Sequence, residues 1–132
     1  LKTAEYNAKI YQLDHRIKFY KTSVDNFFKD KYDLIISNPP YISRLKIKYL
    51  DKDIFGFEPI QALEGGIDGF NVFNKIVKKS SMLLKIGGKL VLEIGFDQKF
   101  VMLKLLKKHN FFVNKIVKDY GGRDRCVICT KL

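Results

Sequence analysis

The residues with the clearest chemical potential are four in a row, Asn38-Pro39-Pro40-Tyr41. Asn38 offers a carbonyl oxygen as an acceptor and an amide as a donor. The ring of Pro39 fixes its φ, and the following proline favours an extended ψ, so the Pro39 carbonyl is held in one direction at little entropic cost. Two acceptors can therefore converge on one NH₂ group, while Tyr41 supplies a flat face for a planar amide or base. The pattern predicts a clamp that presents an amino nitrogen to an electrophile.

The element that must position this clamp is the apolar run just before it, residues 34–36. The run predicts a strand that is buried on both faces, as in a parallel sheet. Because a proline has no N–H for the ladder, the strand should end at Ser37 or Asn38. The clamp would then lie at the carboxyl end of a strand, where open α/β sheets bind ligands. A simple proline turn is the alternative, but Asn-Pro-Pro-Tyr directly after a buried strand favours the functional interpretation.

Residues 37–41 resemble the signature motif of amino-group methyltransferases that use S-adenosylmethionine. The similarity continues at Phe57-Glu58-Pro59, Ala62-Leu63-Glu64-Gly65-Gly66, Asp68-Gly69, Gly87-Gly88, Glu93-Ile94-Gly95, Gln98 and Asp124-Arg125. This series is similar to the protein-(glutamine-N5) methyltransferases that act on peptide chain release factors. DNA and RNA adenine methyltransferases share the four-residue motif, but the Glu-Pro segment and the Glu-Ile-Gly with Gln98 favour the release-factor branch.

The resemblance implies an α/β fold, the class I S-adenosylmethionine-dependent methyltransferase (Rossmann-like) sheet with an antiparallel C-terminal hairpin. The family carries a glycine-rich cofactor loop and a ribose-binding acid upstream, and no Gly-x-Gly occurs in these residues. We therefore expect an incomplete sheet that lacks the first two strands. Residues 1–132 would form a single domain, the C-terminal portion of a methyltransferase catalytic domain from a longer protein.

The resemblance also implies roles for the clamp. Asn38 and Pro39 would be catalytic, because they accept the two N–H bonds of a release-factor glutamine amide. Pro40 and Tyr41 would complete the substrate-binding group. Residues 42–58, a long segment without a clear period, would form the wall of the substrate pocket.

The cofactor implied is S-adenosylmethionine, held by Asp25, Asn26, Phe27 and Asn38. Asp25 would accept a hydrogen bond from the adenine amino group, and Asn26 or Phe27 would line the ring. A structural alternative is that Asp25 caps a short helix over residues 26–29.

Two other functions remain open. The same clamp would hold the exocyclic amine of adenine, as in an adenine-N6 methyltransferase acting on RNA or DNA, and positive charge would help. That activity needs a base-recognition element outside residues 42–58, and none is evident. Because the glycine-rich loop is missing, the chain could also be a catalytically incomplete binding fragment.

Composition is that of a soluble globular protein, with 46% hydrophobic and 30% charged residues. No apolar run reaches membrane-spanning length. Cys126 and Cys129 do not make a disulfide framework, and we expect both to be reduced core residues in a cytoplasmic protein. Because residues three apart in a strand face opposite sides, the pair should not chelate a metal, and we predict no metal site. The net charge of +11 suits RNA, a ribosome-associated complex or an acidic protein, or it reflects lysines scattered over solvated surfaces.

The remaining pattern predicts a strand at 17–20, a helix over 69–84 closed by Gly87-Gly88, and a strand at 89–95. In the helix over 69–84, the inward side chains would be Phe70, Phe73, Ile76, Val77, Ser80 and Leu84. A helix over 97–109 would direct inward Phe100, Val101, Leu103, Leu105 and Leu106. Strands at 111–119 and 125–131 would pair antiparallel.

Glu93 in its buried strand needs a partner, so we expect it to hold the loop after the clamp strand. An exposed sheet edge would invite self-association.

Overall fold

The structure, a computed structural model, describes residues 1–47, 59–67 and 69–132. Its described strands are β1 (Tyr32–Ser37), β2 (Leu84–Glu93), β3 (Phe111–Lys118) and β4 (Asp124–Lys131). The described helices are α1 (Lys2–Ile10), α2 (Arg44–Ile47), α3 (Ile60–Leu63), α4 (Asn71–Leu83) and α5 (Lys99–Lys108). A 3₁₀ turn covers Val24–Asn26.

The four strands form one sheet in the order β1-β2-β4-β3. β1 and β2 are parallel and are connected through α4, while β4 lies antiparallel to both of its neighbours. The predicted sheet and its C-terminal hairpin are therefore confirmed. The parallel register pairs Ser37 with Leu92, which brings the residues after β1 beside Glu93 at the end of β2.

β1 lies at one edge of this sheet, and the prediction that it is buried on both faces is wrong. Ile35 packs against the core, but Leu34 and Ile36, on the opposite face, are 49% and 70% exposed. Alternate residues of a strand point to opposite faces, and within the described residues no element covers the face that carries Leu34 and Ile36.

The strand predicted at 17–20 is also wrong, because these residues form no regular element. A strand needs a neighbour for its N–H and C=O groups, and the described partner of β1 is β2 alone. Phe19 is half-buried, and the ring of Tyr20 packs edge-on against that of Phe27 at 5.4 Å between centroids.

The core lies between the sheet and the helices α4 and α5. On α4 the predicted inward residues Phe73, Ile76, Val77 and Ser80 are buried. This helix ends at Leu83 and not at the glycine pair, because Leu84 already has an extended backbone and starts β2.

The glycine pair lies inside β2, where the register with β1 shifts. The pairing moves from Tyr32 with Leu84 to Leu34 with Lys89, so β2 bulges between these points. Gly87 has a φ of +80° there, in the left-handed region that favours glycine. The pair therefore shapes the bulge, and the prediction that it ends the helix is wrong.

On α5 the inward face differs from the prediction. Met102, Leu105 and Leu106 are buried, whereas Phe100 is 76% and Val101 47% exposed. The buried set has the spacing of i, i+3 and i+4, which defines one helical face, and Phe100 and Val101 lie off it.

The two cysteines are free thiols: Cys129 is buried and Cys126 is half-buried. Burial raises the pKa of the Cys129 thiol to about 12. Within the ranges described above, no helix is long and apolar enough to span a membrane.

Candidate active site

The clamp residues follow β1 directly and differ in exposure. Asn38 is exposed, Pro39 is buried, and Pro40 and Tyr41 are half-buried. Asn38 is therefore at the surface, not packed in the core. Since β1 ends at Ser37, the clamp lies at the carboxyl edge of the parallel pair, where the sequence predicts it.

A small cavity of about 170 Å³ adjoins the clamp. Its lining comprises Asn38, Pro39, Pro40, Tyr41, Ile42, Ala62, Leu63 and Glu93. All four predicted substrate-binding residues thus line one opening. The remaining wall comes from α3 and from the last residue of β2, so the cavity depends on three separated parts of the chain.

Tyr41 is held by hydrogen bonds to both its side chain and its backbone. Its hydroxyl donates to Glu93 Oε1 at 3.3 Å, and its carbonyl accepts from Gln98 Nε2 at 3.0 Å. Gln98 Oε1 in turn accepts from the Gly95 N–H at 2.8 Å. Gln98 is only 6% exposed, so its carboxamide is a buried tie between the clamp and the turn that follows β2.

Sequence reasoning noted Gln98 only as part of the family resemblance and did not foresee this tie. The available signal was a polar residue in the turn between a buried strand and an apolar helix. Glu93, which was expected to hold the loop after β1, has the Tyr41 hydroxyl as its partner.

Electrostatics favour the neutral phenol at Tyr41. Burial is the main cause that raises the pKa of Tyr41, and the carboxylate of Glu93 raises it further, while Arg125 acts in the opposite direction. The hydroxyl therefore remains a donor to Glu93 at neutral pH, and it is not suited to act as a base.

A glycine-containing segment supports the clamp from behind. A Cβ placed on Gly65 would lie 2.9 Å from the Pro40 carbonyl oxygen and 2.9 Å from the Tyr41 Cα. The backbone of Ile42 exchanges hydrogen bonds with this segment, donating to Leu63 O at 3.0 Å and accepting from Gly65 N at 2.9 Å. Gly65 thus permits a close backbone approach that any side chain would block.

Some residues that carry the family resemblance or the expected pocket wall fall outside the described residues. They are Asp68 and most of the wall at 42–58, which includes Glu58. The described part of that wall is residues 42–47. It contains α2, and Arg44 there pairs with Glu64 at 2.6 Å.

The predicted cofactor residues Asp25 and Asn26 lie in the 3₁₀ turn, and Phe27 directly follows it. Asp25 and Asn26 are exposed, and Asp25 pairs with Lys75 Nζ at 2.9 Å. The turn ends at Asn26, so the short helix expected over 26–29 does not form. Phe27 is half-buried and contacts the rings of Tyr20 and Tyr32.

A larger cavity of about 840 Å³ lies against β1 and this aromatic group. Its lining includes Tyr20, Phe27 and Tyr32, with hydroxyl groups from Thr22, Ser23 and Ser37. Aromatic faces with nearby hydroxyls suit a planar heterocycle that carries a sugar. Ser37 lines this cavity and Asn38 the small one, so consecutive residues at the end of β1 line two different cavities.

Asp25 lines a different cavity, described below, and not the one that contains Phe27. The structure therefore brings Phe27 towards the end of β1 but turns the Asp25 carboxylate towards α4. Among the residues that the structure describes, no cluster of three or more His, Cys, Asp or Glu is arranged to hold a metal ion.

A third cavity of about 520 Å³, beside the turn after β2, shares Tyr41 and Ile42 with the small cavity. Arg123 lies over the exposed ring of Phe96, 5.5 Å from its centroid. Arg125 also lines this cavity and is paired with Asp119 at 3.0 Å. Two guanidinium groups therefore stand next to the clamp.

The sheet, with a clamp at its carboxyl edge, is that of a class I methyltransferase. The ribosomal protein L11 methylase of Lactobacillus delbrueckii subsp. bulgaricus matches 98% of this chain with a TM-score of 0.67 and 17% identity, over 51% of its own length. TrmN from Thermus thermophilus matches 98% of this chain with a TM-score of 0.61 and 20% identity, over 32% of its own length. At these identities the structural likeness shows the fold.

Residues 2–120 match the family model described as Eco57I restriction-modification methylase, and the chain belongs to this family. Among curated relatives, the release factor glutamine methyltransferase of Buchnera aphidicola subsp. Acyrthosiphon pisum is 44% identical over 78% of this chain and 37% of its own length. The enzyme of the same name from Clostridium botulinum is 36% identical over 98% of this chain and 47% of its own length. The resemblance to this group is thus confirmed, and the chain spans less than half the length of either relative.

Proposed function

We propose that this chain transfers a methyl group from S-adenosylmethionine to the side-chain amide nitrogen of a glutamine in peptide chain release factors. The curated relatives carry this activity in their names. The observation that carries the proposal is the exposed Asn38 at the carboxyl end of β1, beside a small cavity whose wall, Tyr41, is tied in place by Glu93 and Gln98.

The clamp would act by alignment and electrostatics. The lone pair of an amide nitrogen is delocalised into its carbonyl, so the nitrogen is a weak nucleophile. Acceptance of its two N–H bonds by Asn38 Oδ1 and the Pro39 carbonyl would localise electron density on nitrogen and hold it in one orientation. The amide is not basic, so no side chain needs to remove a proton before attack, and the proton can leave afterwards.

The residues present fit the cofactor in part. S-adenosylmethionine supplies an electrophilic methyl carbon when it is bound. Phe27, with Tyr20 and Tyr32, would contact its adenine in the larger cavity, and Asn38 would lie next to its reactive end. Asn26 remains a candidate for lining the ring, whereas Asp25 would first have to leave its ion pair with Lys75 to accept from the adenine amino group.

The third cavity offers a place for the polypeptide around the acceptor glutamine. It shares Tyr41 and Ile42 with the small cavity, and its charged lining is Arg123, Arg125 and Asp97. Arg125 is paired with Asp119, so Arg123 is the main positive group there. An acidic or carbonyl-rich stretch of the release factor would suit this surface. A release-factor substrate would place the reaction in the cytoplasm and close to the ribosome. Self-association through the open edge of β1 is a separate proposal, because an unpaired strand edge can pair with another chain.

The proposal is tested with methyl-labelled cofactor and four acceptors: a release factor, the same factor with its acceptor glutamine changed to alanine, tRNA, and duplex DNA. We expect label only in the glutamine-containing peptide of the unaltered factor, located by mass spectrometry. Label in the nucleic acids would support the adenine-N6 alternative, which the curated relatives do not favour. If calorimetric titration shows no cofactor binding and no acceptor is labelled, the chain is a catalytically incomplete fragment.

A further inference from the structure

A separate cavity of about 620 Å³ carries an unusual amount of positive charge, and we call it the basic cavity. Its lining is Asp25, Phe28, Asn74, Lys75, Lys78, Lys79, Met82, Lys108 and His109. It shares no lining residue with the small cavity at the clamp. Lys79 also lines the larger cavity beside β1, and Lys75 pairs with Asp25. The methyl-transfer proposal gives no role to Lys78 or Lys108.

Two helices bring these cations together. Lys75, Lys78 and Lys79 lie on one face of α4 at i, i+3 and i+4. Lys108 is the last residue of α5, and His109 caps that helix. Like charges on neighbouring positions repel, so this arrangement is unfavourable unless an anion offsets it.

The field in the basic cavity is positive despite one acidic neighbour. Asp25 is the acidic side chain that lines it within the described residues, and its carboxylate is already paired with Lys75. Burial is the main cause that lowers the pKa of His109, and Lys108, Lys78 and Lys131 each lower it further. Lys78 and Lys108 are exposed, and their ammonium groups are available to a ligand.

An aromatic face stands among these charges. Phe28 is 71% exposed, and the Lys79 ammonium lies 3.3 Å from its ring centroid. A cationic groove with an exposed aromatic ring is the pattern by which proteins bind unpaired nucleic acid, because phosphates meet the cations and a base stacks on the ring. An acidic protein segment would use the lysines but would have no need of Phe28.

We propose that the basic cavity binds single-stranded nucleic acid, with phosphates at Lys78 and Lys108 and one base stacked on the face of Phe28 that Lys79 does not cover. A duplex fits less well, since its bases are already stacked and cannot reach a ring in a concave site. The protein would contact the phosphates of the nucleic acid and the face of one base. Binding should therefore weaken as salt rises and should tolerate different base sequences.

The test is fluorescence anisotropy with labelled single-stranded RNA and DNA 12-mers, titrated with the protein at several salt concentrations. For K78Q/K108Q, the slope of log affinity against log salt should fall by about 1.4, since each lost phosphate contact removes about 0.7. For Phe28→Ala, affinity should fall by roughly fivefold to a hundredfold with the slope unchanged. Circular dichroism would verify that each variant remains folded.

The matched control is K115Q/K118Q, which removes the same charge from exposed positions on β3. We expect its affinity for the 12-mers to lie within about twofold of that of the unaltered protein. If K78Q/K108Q and K115Q/K118Q lose the same amount of affinity, the effect is one of general charge, and the proposed site is overturned. No effect of Phe28→Ala, or equal competition by poly-glutamate and unlabelled RNA, would overturn nucleic acid as the ligand. Methyl transfer is not read out, so the result is independent of the proposed reaction.

Discussion

The tie formed by Gln98 makes a quantitative prediction about how the clamp is held. Gln98→Ala removes the donor to the Tyr41 carbonyl and the acceptor for the Gly95 N–H, at 3.0 and 2.8 Å. Each buried group that loses its partner costs about 1–3 kcal/mol. We expect the free energy of unfolding to fall by about 2–4 kcal/mol, a large share of the roughly 5–15 kcal/mol typical of a domain.

Urea unfolding followed by circular dichroism measures this loss. Gln98→Glu separates the two bonds, because its carboxylate keeps the acceptor for Gly95 but cannot donate to the Tyr41 carbonyl. Its loss should equal or exceed that of Gln98→Ala, since a negative charge would then face a carbonyl oxygen. Lys104→Ala, at an exposed position of the same helix α5, is the control and should change stability by about 0.5 kcal/mol or less.

A loss below about 1 kcal/mol for Gln98→Ala would refute this reasoning. It would mean that water replaces the carboxamide and that the tie does not hold the clamp. Methyl transfer supplies a second measurement: a folded Gln98→Ala protein should retain cofactor binding but transfer more slowly, because the orientation of Tyr41 is no longer constrained.

Three further predictions concern the clamp, its support and the core. Asn38→Ala should abolish methyl transfer while unfolding within about 0.5 kcal/mol of the parent protein, because Asn38 is exposed; a variant that keeps most of its activity contradicts the clamp. Gly65→Ala should destabilise by about 1–3 kcal/mol in thermal unfolding, because its Cβ would meet backbone atoms at 2.8–2.9 Å. Gly121→Ala, where only the Asp119 side chain is near, should cost less. The Cys129 pKa of about 12 lies above its unfolded value, so its stabilising contribution is complete below pH 9 and is lost as pH rises. Between pH 9 and 11 the parent should lose about 1 kcal/mol per pH unit more than Cys129→Val, as measured by urea midpoints; parallel profiles would contradict a buried thiol.

Local patterns predicted most of the regular elements because their causes are local. Prolines end β1 wherever the strand is placed, since they lack an N–H. The apolar stripe of α4 and the hairpin of β3 and β4 follow from helical and strand periodicity. Phe100 and Val101 were assigned inward because they are apolar, although the face of α5 is set by Met102, Leu105 and Leu106.

Features that depend on a segment distant in sequence could not be predicted from local patterns. Whether residues 17–20 form a strand, and whether Leu34 and Ile36 are covered, depends on which chain segments lie beside β1. The pairing of Asp25 with Lys75 joins residues 50 positions apart in sequence. No local pattern signals such a contact.

From the amino-acid order alone, the chemistry of the clamp follows: two acceptors and an aromatic face after a strand, with the backbone restricted by proline. The fold adds the neighbours. It places Glu93 and Gln98 on Tyr41, brings Gly65 against the clamp backbone, and gathers lysines from α4 and α5 around Phe28. The physical reason is that φ restriction and hydrogen-bonding capacity belong to each residue, whereas burial and partners arise only when distant segments pack together.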